Sequence, residues 1–281
     1  MNICKTISEF RQYRHSAAGN KVIFVPTMGA LHEGHGSLVR MARRLAGADG
    51  IVAASIFVNP TQFGPHEDFH KYPRPFERDL ANLATWEADV VFSPSPEEMY
   101  GPGNNISIDP GPLGTVLDGT IRAGHFRGVC TVVAKLLGIV EPAAIILGQK
   151  DFQQQLILRH MVRDLNMPVE VVTAPTMREP DGLAMSSRNR YLSPDQRMRA
   201  GNIYQALGWA RDQYNGGMRD AGVLEAGMSE HITQAGLEVQ YALACHAETL
   251  EVYRQDVVAP CVFLVAAQLG TTRLIDNLVI P

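Results

Sequence analysis

The chain has 281 residues, of which 46% are hydrophobic and 19% charged, a composition that excludes a disordered chain and predicts a sizeable core. Its formal net charge of -4 gives no electrostatic reason to expect nucleic acid or a membrane as partner, so small molecules are favoured. The N-terminal segment lacks the apolar run of a secretion signal and no stretch reaches the length of a membrane span, so we expect a cytoplasmic protein.

The first part of the chain alternates short, continuously apolar runs with longer helical patterns. This alternation is typical of a parallel sheet with crossover helices, and it predicts an α/β fold with a Rossmann-like, doubly wound sheet. The predicted strands are 22–26, 51–58, 90–93, 144–147 and 169–173, and the predicted helices are 35–46, 76–87, 128–140 and 152–165.

The sequence pattern changes after residue 175, where a loop rich in Gly, Ser and Arg precedes a helical and then a strand-like segment. We expect a smaller α+β domain here, so that residues 1–175 and 176–281 form two domains. Its predicted helices are 195–214 and 221–235, and its apolar runs are 239–244 and 261–267.

Four cysteines are scattered through both parts, with no spacing that suits a zinc site or a disulfide framework. Cys130 lies in an apolar helical pattern and Cys261 in a strand-like run, so both are predicted to be small buried side chains.

Two histidines, His32 and His35, follow the first predicted strand at a turn that contains Gly29 and Gly34. A helix N-terminus offers unpaired N–H groups and a positive dipole end, so imidazole donors there favour phosphate. A pair of surface histidines capping the helix is the structural alternative, and a zinc site is a weaker one because two ligands are too few. The spacing resembles the H-x-G-H signature of nucleotidyltransferases and class I aminoacyl-tRNA synthetases.

A polar loop, residues 179–189, comes just after the last parallel strand and contains Met185, Ser186, Ser187 and Arg188. Its hydroxyls and guanidinium suit a triphosphate, although such a loop alone is more often a solvated turn with a helix cap. Beside H-x-G-H it resembles the mobile K-M-S-K-S loop of the same superfamily, with Arg188 carrying the charge in place of a lysine.

Another strand-to-helix turn is formed by residues 148–154, and chain order places it at the switch point of the sheet. Lys150 can contact phosphate, Asp151 can accept from ribose hydroxyls, and Gln154 can donate to a carboxylate or hydroxyl. An acidic cap would explain Asp151 but would leave Lys150 at a positive dipole end.

The segment 57–63 follows the second strand and places Asn59 and Gln62, two uncharged amides, between aromatic side chains. Such a pocket suits a small hydroxy acid, whereas a turn built on Asn-Pro is the simpler alternative.

Six strings in order along the chain together resemble the pantothenate synthetase family: PTMGALHEGH, FVNPTQF, HFRGV-TVVAKL, G-KDFQQ, REPDGLAMSSRN and LGTTRLIDN. The resemblance implies an ATP-dependent ligase that condenses pantoate and β-alanine through a pantoyl-adenylate, with Mg²⁺, a C-terminal lid domain and a homodimer. Gln149 and Thr61 depart from the glutamate and methionine that are usual in the family.

Carried over residue by residue, the resemblance also implies two binding sites. It assigns Gln62 and Gln154 to pantoate, with Asn59 and Arg122 nearby. Asp79 is a candidate magnesium ligand, although the metal can also be held by phosphates and water. The implied ATP-site residues are Met28, His32, His35, Gly148, Lys150, Asp151, Met185, Ser186, Ser187 and Arg188.

No residue pattern suits an activated nucleophile, so the chemistry is expected to rest on positioning and electrostatics, with His32, His35, Lys150 and Arg188 stabilising phosphate charge. Two other functions compete with the ligase. One is an adenylyltransferase that keeps AMP on its product, and the other is a nucleotide-binding regulatory protein that never turns over.

Overall fold

The computed structural model describes residues 1–65, 67 and 69–281. The chain divides into two compact units, one comprising residues 1–148 and 153–174 and the other residues 149–152 and 175–281.

The first unit is built on a parallel sheet, as the sequence predicted. Among the described residues, six strands form this sheet in the order β1-β4-β3-β2-β5-β6. The chain runs outward from β2 to β3 and β4 and then crosses to β5 on the other side of β2, so the switch point lies between β2 and β5. The strands are β1 (Asn2–Cys4), β2 (Val22–Thr27), β3 (Ile51–Ile56), β4 (Val90–Phe92), β5 (Ala144–Gly148) and β6 (Glu170–Ala174).

Helices cover both faces of this sheet, which is why its strands read as continuous apolar runs. Val22 and Phe24 point to a core shared with α1, α6 and α7, whereas Ile23 and Val25 point to a core shared with α2 and α3. The helices are α1 (Ile7–Ser16), α2 (Glu33–Ala46), α3 (Phe76–Thr85), α4 (Pro96–Met99), α5 (Asp118–Ile121), α6 (His125–Val140) and α7 (Phe152–Asp164), with short 3₁₀ turns at Pro60–Gln62 and Gly111–Gly114.

The second unit packs helices against an antiparallel sheet, as expected for an α+β domain. Residues 175–281 are described without gaps and form three strands in the order β7-β8-β9. Met228 and Phe263 are fully buried in its core. Its elements are a 3₁₀ turn (Ser187–Tyr191), α8 (Pro194–Ala200), α9 (Asn202–Asn215), α10 (Ala221–Gln234), β7 (Glu238–His246), β8 (Cys261–Leu269) and β9 (Thr272–Ile280).

The helix predicted over residues 195–214 is wrong in one respect, because the chain forms two helices that meet at Gly201. The N–H of Gly201 bonds the carbonyl of Arg199, and a side chain at Gly201 would contact the backbone of Asp181 at 3.2 Å. The helical pattern therefore continues across a turn that redirects the chain.

The four cysteines are all buried with free thiols. Burial raises the pKa of Cys130 to about 12 and that of Cys261 to about 11, so neither provides a thiolate at neutral pH. None of the helices formed by the described residues has both the length and the apolar character needed to cross a bilayer.

Candidate active site

The turn between β2 and α2 is held by a buried carboxylate. Gly29 has φ of 80° and Ala30 has φ of 53°, so the chain turns sharply before the helix. Asp79 on α3 accepts hydrogen bonds from the N–H groups of Ala30 at 2.7 Å and Leu31 at 2.8 Å. The turn that carries the histidines is therefore fixed in shape before any ligand arrives.

This use of Asp79 does not fit a magnesium ligand. Its side chain is 1% exposed and each carboxylate oxygen already accepts a backbone N–H group. Among the described residues no group of three or more His, Cys, Asp or Glu side chains is placed to hold a metal ion. Asp79 therefore shapes the turn, and its interpretation as a candidate magnesium ligand stays a prediction that this geometry does not support.

His32 and His35 lie together at the start of α2, with ring centroids 4.2 Å apart. His32 Nδ1 accepts the N–H of Gly34 at 3.2 Å, and His35 Nδ1 accepts the N–H of His32 at 3.3 Å. Because Nδ1 is an acceptor in both rings, the neutral rings carry their proton on Nε2. Each ring therefore caps the helix with Nδ1 and carries its N–H on Nε2.

The predicted amide pocket forms next to this turn. Gln62 Oε1 accepts from Asn59 Nδ2 at 3.1 Å, and Gln62 Nε2 lies 2.9 Å from the sulfur of Met28. A thioether is a weak acceptor, so the Gln62 amide keeps most of its capacity to donate to a ligand oxygen. Met28 thus joins the histidine turn at the end of β2 to the amide pocket at the end of β3.

Asn59 connects the elements that form the pocket. Its side chain is 1% exposed, and Asn59 Nδ2 also donates to the carbonyl of Gly128 at 3.2 Å. A Cβ at Gly128 would lie 2.3 Å from the carbonyl oxygen of Thr61, so only glycine lets α6 approach this closely. Asn59 therefore has a positioning role within the pocket, and its predicted contact with a substrate stays a prediction.

Arg122 is similarly engaged within the protein. Its guanidinium forms a two-point ion pair with Glu67 at 2.7 and 2.6 Å and donates to Nε2 of His125 at 2.9 Å. Nδ1 of His125 in turn donates to the carbonyl of Gln62 at 2.7 Å. Arg122 therefore supports the backbone of Gln62 through His125, and its contact with a substrate stays a prediction.

The His125 ring must be neutral to accept from Arg122 at Nε2 while it donates to the carbonyl of Gln62 at Nδ1. Burial, with Arg122 as the next cause, lowers the pKa of His125 from 6.5 to about 4. The sequence patterns singled out none of His125, Glu67 and Tyr100, although His125 opens the string HFRGV.

Three consecutive glutamines begin α7, and their surroundings differ. Gln153 donates to the carbonyls of Leu113 and Val116, and Gln155 accepts from Thr173, so both are used inside the protein. Gln154 lies between them and is partly exposed. Successive residues of a helix point about 100° apart, so Gln154 is the one of the three that remains a candidate for binding.

In the second unit, the Lys150 turn is tied to β9. Asn277 Nδ2 donates to the carbonyls of Gln149 and Lys150, both at 2.9 Å. The Lys150 ammonium lies 3.8 Å from Asp151, and its side chain is 21% exposed. The ammonium is therefore held by an anchored backbone in a partly enclosed position where phosphate charge can be stabilised. Gly148, which precedes this turn, ends β5 opposite Ala174 in the first unit.

The polar loop forms a tight hairpin followed by a 3₁₀ turn. Met185 N–H bonds the carbonyl of Met177 at 2.9 Å, and Ser186 Oγ accepts from the N–H of Arg188 at 3.3 Å. Ser187 and Arg188 lie in the first residues of the 3₁₀ turn that Ser186 caps. The four predicted residues therefore share one ordered loop, and Ser186 has a structural role within it.

One anchor of this loop was not predicted. Arg178 at the base of the hairpin pairs with both oxygens of Asp276 at 2.5 and 3.0 Å and lies 3.8 Å from the ring of Tyr204. Asp276 and Asn277 are adjacent on β9 and are both buried, so one strand holds the hairpin and the Lys150 turn. The string LGTTRLIDN could have indicated this anchor, because its last two residues are polar and interrupt an apolar strand in which they are buried.

Comparison with known proteins identifies relatives along the whole chain. The model of the family described as Pantoate-beta-alanine ligase matches residues 2–279. A protein of Thermotoga petrophila named pantothenate synthetase is 48% identical, with 100% of each chain covered.

Solved structures lead to the same family. Pantothenate synthetase from Thermus thermophilus has a TM-score of 0.93 and 44% identity, with 99% of each chain covered. Pantoate-beta-alanine ligase from Francisella tularensis, complexed with beta-gamma ATP and beta-alanine, has a TM-score of 0.83 and 35% identity, with 99% of this chain and 97% of that chain covered.

Proposed function

This chain belongs to the pantoate-β-alanine ligase family, and we propose that it condenses pantoate with β-alanine at the expense of ATP, through a pantoyl-adenylate. The contact between Met28 and Gln62 is the observation in the structure that supports the proposal most directly. Met28 brings the histidine turn at the N-terminus of α2 against the Gln62 amide, at 2.9 Å. A phosphate-binding helix end next to an uncharged amide pocket suits ATP beside a small hydroxy acid.

In the first step, an oxygen of the pantoate carboxylate attacks the α-phosphorus of ATP. The new P–O bond forms as the bond to the bridging oxygen of pyrophosphate breaks, and pyrophosphate leaves with the electron pair. Nε2–H of His32 and His35 and the ammonium of Lys150 stabilise the charge that grows on phosphate oxygens, and Arg188 adds a guanidinium on its loop. Gln62 and Gln154 hold the acid in line for attack.

In the second step, β-alanine attacks the acyl carbon of the pantoyl-adenylate as a free amine. The amide bond forms, the bond from the acyl carbon to the AMP oxygen breaks, and the amine proton goes to solvent. Because an acyl-adenylate also reacts with water, the Ser186 to Arg188 loop serves the reaction best if it closes over the intermediate. The lid role of residues 176–281 is part of this proposal.

We propose that magnesium binds together with ATP. Asp79 is committed to the β2–α2 turn, so we propose that phosphate oxygens and water hold the cation. No protein-held metal is required for the residue roles given above. The homodimer implied by the resemblance and the cytoplasmic location expected from the sequence likewise remain predictions.

The competing functions make different products. An adenylyltransferase explains His32, His35 and Arg188 but leaves the amide pocket of Gln62 and Gln154 without a role, and a regulatory protein needs no second substrate pocket. The test follows pyrophosphate, AMP and amide with ATP and pantoate, first without and then with β-alanine. The ligase gives AMP and amide in equal amounts only when β-alanine is present. An adenylylated final product, or no turnover, would overturn the proposal.

A further inference from the structure

The Gln62 amide is oriented by a chain of hydrogen bonds that begins at two hydroxyl groups. Asn59 Oδ1 accepts from the hydroxyl of Tyr100 at 2.8 Å, from that of Thr61 at 2.9 Å and from the N–H of Thr61 at 3.3 Å. The other end of the Asn59 amide donates to the carbonyl of Gly128 and to Oε1 of Gln62.

Two of these partners have only one possible role. The N–H of Thr61 can only donate and the carbonyl of Gly128 can only accept, so Asn59 must present its oxygen to Thr61 and its nitrogen to Gly128. With the Asn59 nitrogen so placed, Gln62 must present Oε1 to it. The Nε2 donor of Gln62 then lies on the opposite side of the amide, where Met28 contacts it.

We propose that Thr61 and Tyr100 are positioning residues for the acid substrate: the backbone groups set which end of the Asn59 amide faces Gln62, and the two hydroxyls hold that amide in place, so that Gln62 presents its N–H donor to a ligand oxygen. This inference rests on the proposed function, because it takes a carboxylate- or hydroxyl-bearing acid as the ligand of Gln62. A reversed Gln62 amide would direct an acceptor at the acceptor oxygens of that acid, which is repulsive.

The surroundings of Tyr100 suit a fixed donor. Its ring packs 6.2 Å from that of Phe57, and the ammonium of Lys135 lies 5.5 Å from the ring centroid. Burial raises the pKa of Tyr100 above its ordinary value, so its hydroxyl keeps the proton that it donates to Asn59.

The experiment compares Tyr100→Phe, Thr61→Val and the double variant with the wild-type enzyme. Each substitution removes a hydroxyl and keeps the shape of the side chain. Loss of one neutral hydrogen bond predicts a rise of about fivefold in the KM for pantoate in each single variant, and a larger rise when both donors are lost. The kcat and the KM for ATP should change little, because the reacting atoms and the phosphate donors are untouched.

Two controls separate positioning from general damage. Thr61→Ser restores the hydroxyl and should return the KM for pantoate to the wild-type value. Tyr253→Phe removes a tyrosine hydroxyl that bonds the carbonyl of Val258 in the second unit, and it should leave the KM unchanged. Thermal unfolding of every variant reports whether the fold is retained, and Thr61 is exposed, so its substitutions are suited to this comparison.

A double-mutant cycle with Gln62→Ala gives the decisive result. If Tyr100 acts through Gln62, Tyr100→Phe should have no further effect on the KM for pantoate once Gln62 is alanine. An unchanged KM in the single variants, or an equal fold-rise in the Gln62→Ala background, would overturn the inference. Formation of pantothenate by the wild-type enzyme is measured first, and its absence would count against the proposed function instead.

Discussion

At the scale of single residues, the two histidines combine a structural task with the chemical task that we propose for them. His32 and His35 each use Nδ1 to satisfy a backbone N–H at the start of α2, which fixes their proton on Nε2. The two nitrogens of one ring can therefore be tested separately, because asparagine keeps an acceptor near the position of Nδ1 but has no group at the position of Nε2.

We expect His32→Asn and His35→Asn to retain the fold but to lower the rate of adenylation by about two to three powers of ten each, as loss of a preorganised donor does. The matched control is His231→Asn, since His231 lies near the end of α10 and bonds the carbonyl of Gly227. Rapid-mixing measurement of pyrophosphate release with ATP and pantoate gives the rate. Near-native release in either variant would remove that histidine from the phosphate site.

His125 makes the stability of the first unit depend on pH. Its pKa of about 4 lies below the ordinary value of 6.5, so between these values the unfolded chain binds a proton that the folded chain does not. At pH 7 the ring is neutral in both states and the shift has no effect. Stability is lost as the pH falls below 6.5, by up to about 3 kcal/mol once the pH reaches 4.

His125→Gln should remove this part of the acid sensitivity, because glutamine keeps a donor for Gln62 and an acceptor for Arg122 but does not titrate. Urea unfolding at pH 7.0 and pH 4.5 gives the free energy of unfolding of both proteins. The wild-type protein should lose more stability than the variant between the two pH values. Equal losses would mean that His125 is not the buried neutral group described here.

What the sequence predicts at this scale depends on how far a contact reaches along the chain. The histidine pair is local, so its position at a helix start could be read directly. Asp79 and Ala30 are separated by 49 positions in the sequence, and Arg122 and Glu67 by 55. Neither segment contains a pattern that indicates its partner. The sequence therefore could not show that Asp79 and Arg122 are bonded within the protein, and it offered them only as a candidate metal ligand and a residue near the substrate.

At the scale of elements, strand β9 anchors two segments that carry candidate phosphate ligands. Asn277 holds the Lys150 turn by its backbone, and Asp276 holds the hairpin of the polar loop through Arg178. Both side chains are buried, so their bonds are protected from water.

Asn277→Asp should displace the Lys150 turn, because a carboxylate would then face two carbonyl oxygens that need a donor. We expect a fall of about tenfold or more in the rate of adenylation, with the KM for pantoate little changed. The control is Asn202→Asp, where the amide bonds one carbonyl, that of Arg199, and touches no candidate ligand. A variant with wild-type adenylation and an intact fold would contradict the anchoring role.

The elements that the sequence analysis missed share a physical cause. Strand β1 has three residues and buries only Cys4, and α1 buries only Phe10, so neither shows enough of its period to be recognised. In β9 the buried positions include Asp276 and Asn277, which breaks the apolar pattern expected of a strand. Helices α6 and α7 and strands β2, β3 and β5 were predicted because each buries a continuous set of apolar side chains.

At the scale of the whole molecule, the parallel sheet explains how short motifs that are far apart in sequence come to lie close together, as the proposed reaction requires. The histidine turn follows β2 and the amide segment follows β3, and these strands are neighbours with matching register. The carboxyl ends of parallel strands meet at one edge of a sheet, so the fold class already predicted that the two motifs lie close together. The sequence could not show that Met28 is the side chain that joins them.

The central claim is that the pantoate carboxylate attacks the α-phosphorus of ATP. Pantoate labelled with ¹⁸O in its carboxylate tests this directly, because one carboxylate oxygen stays on phosphorus when the amide forms. After turnover with ATP and β-alanine, mass spectrometry should find one ¹⁸O atom in AMP and none in pyrophosphate. Label in inorganic phosphate or pyrophosphate, or unlabelled AMP with the lost ¹⁸O released into water, would contradict the account.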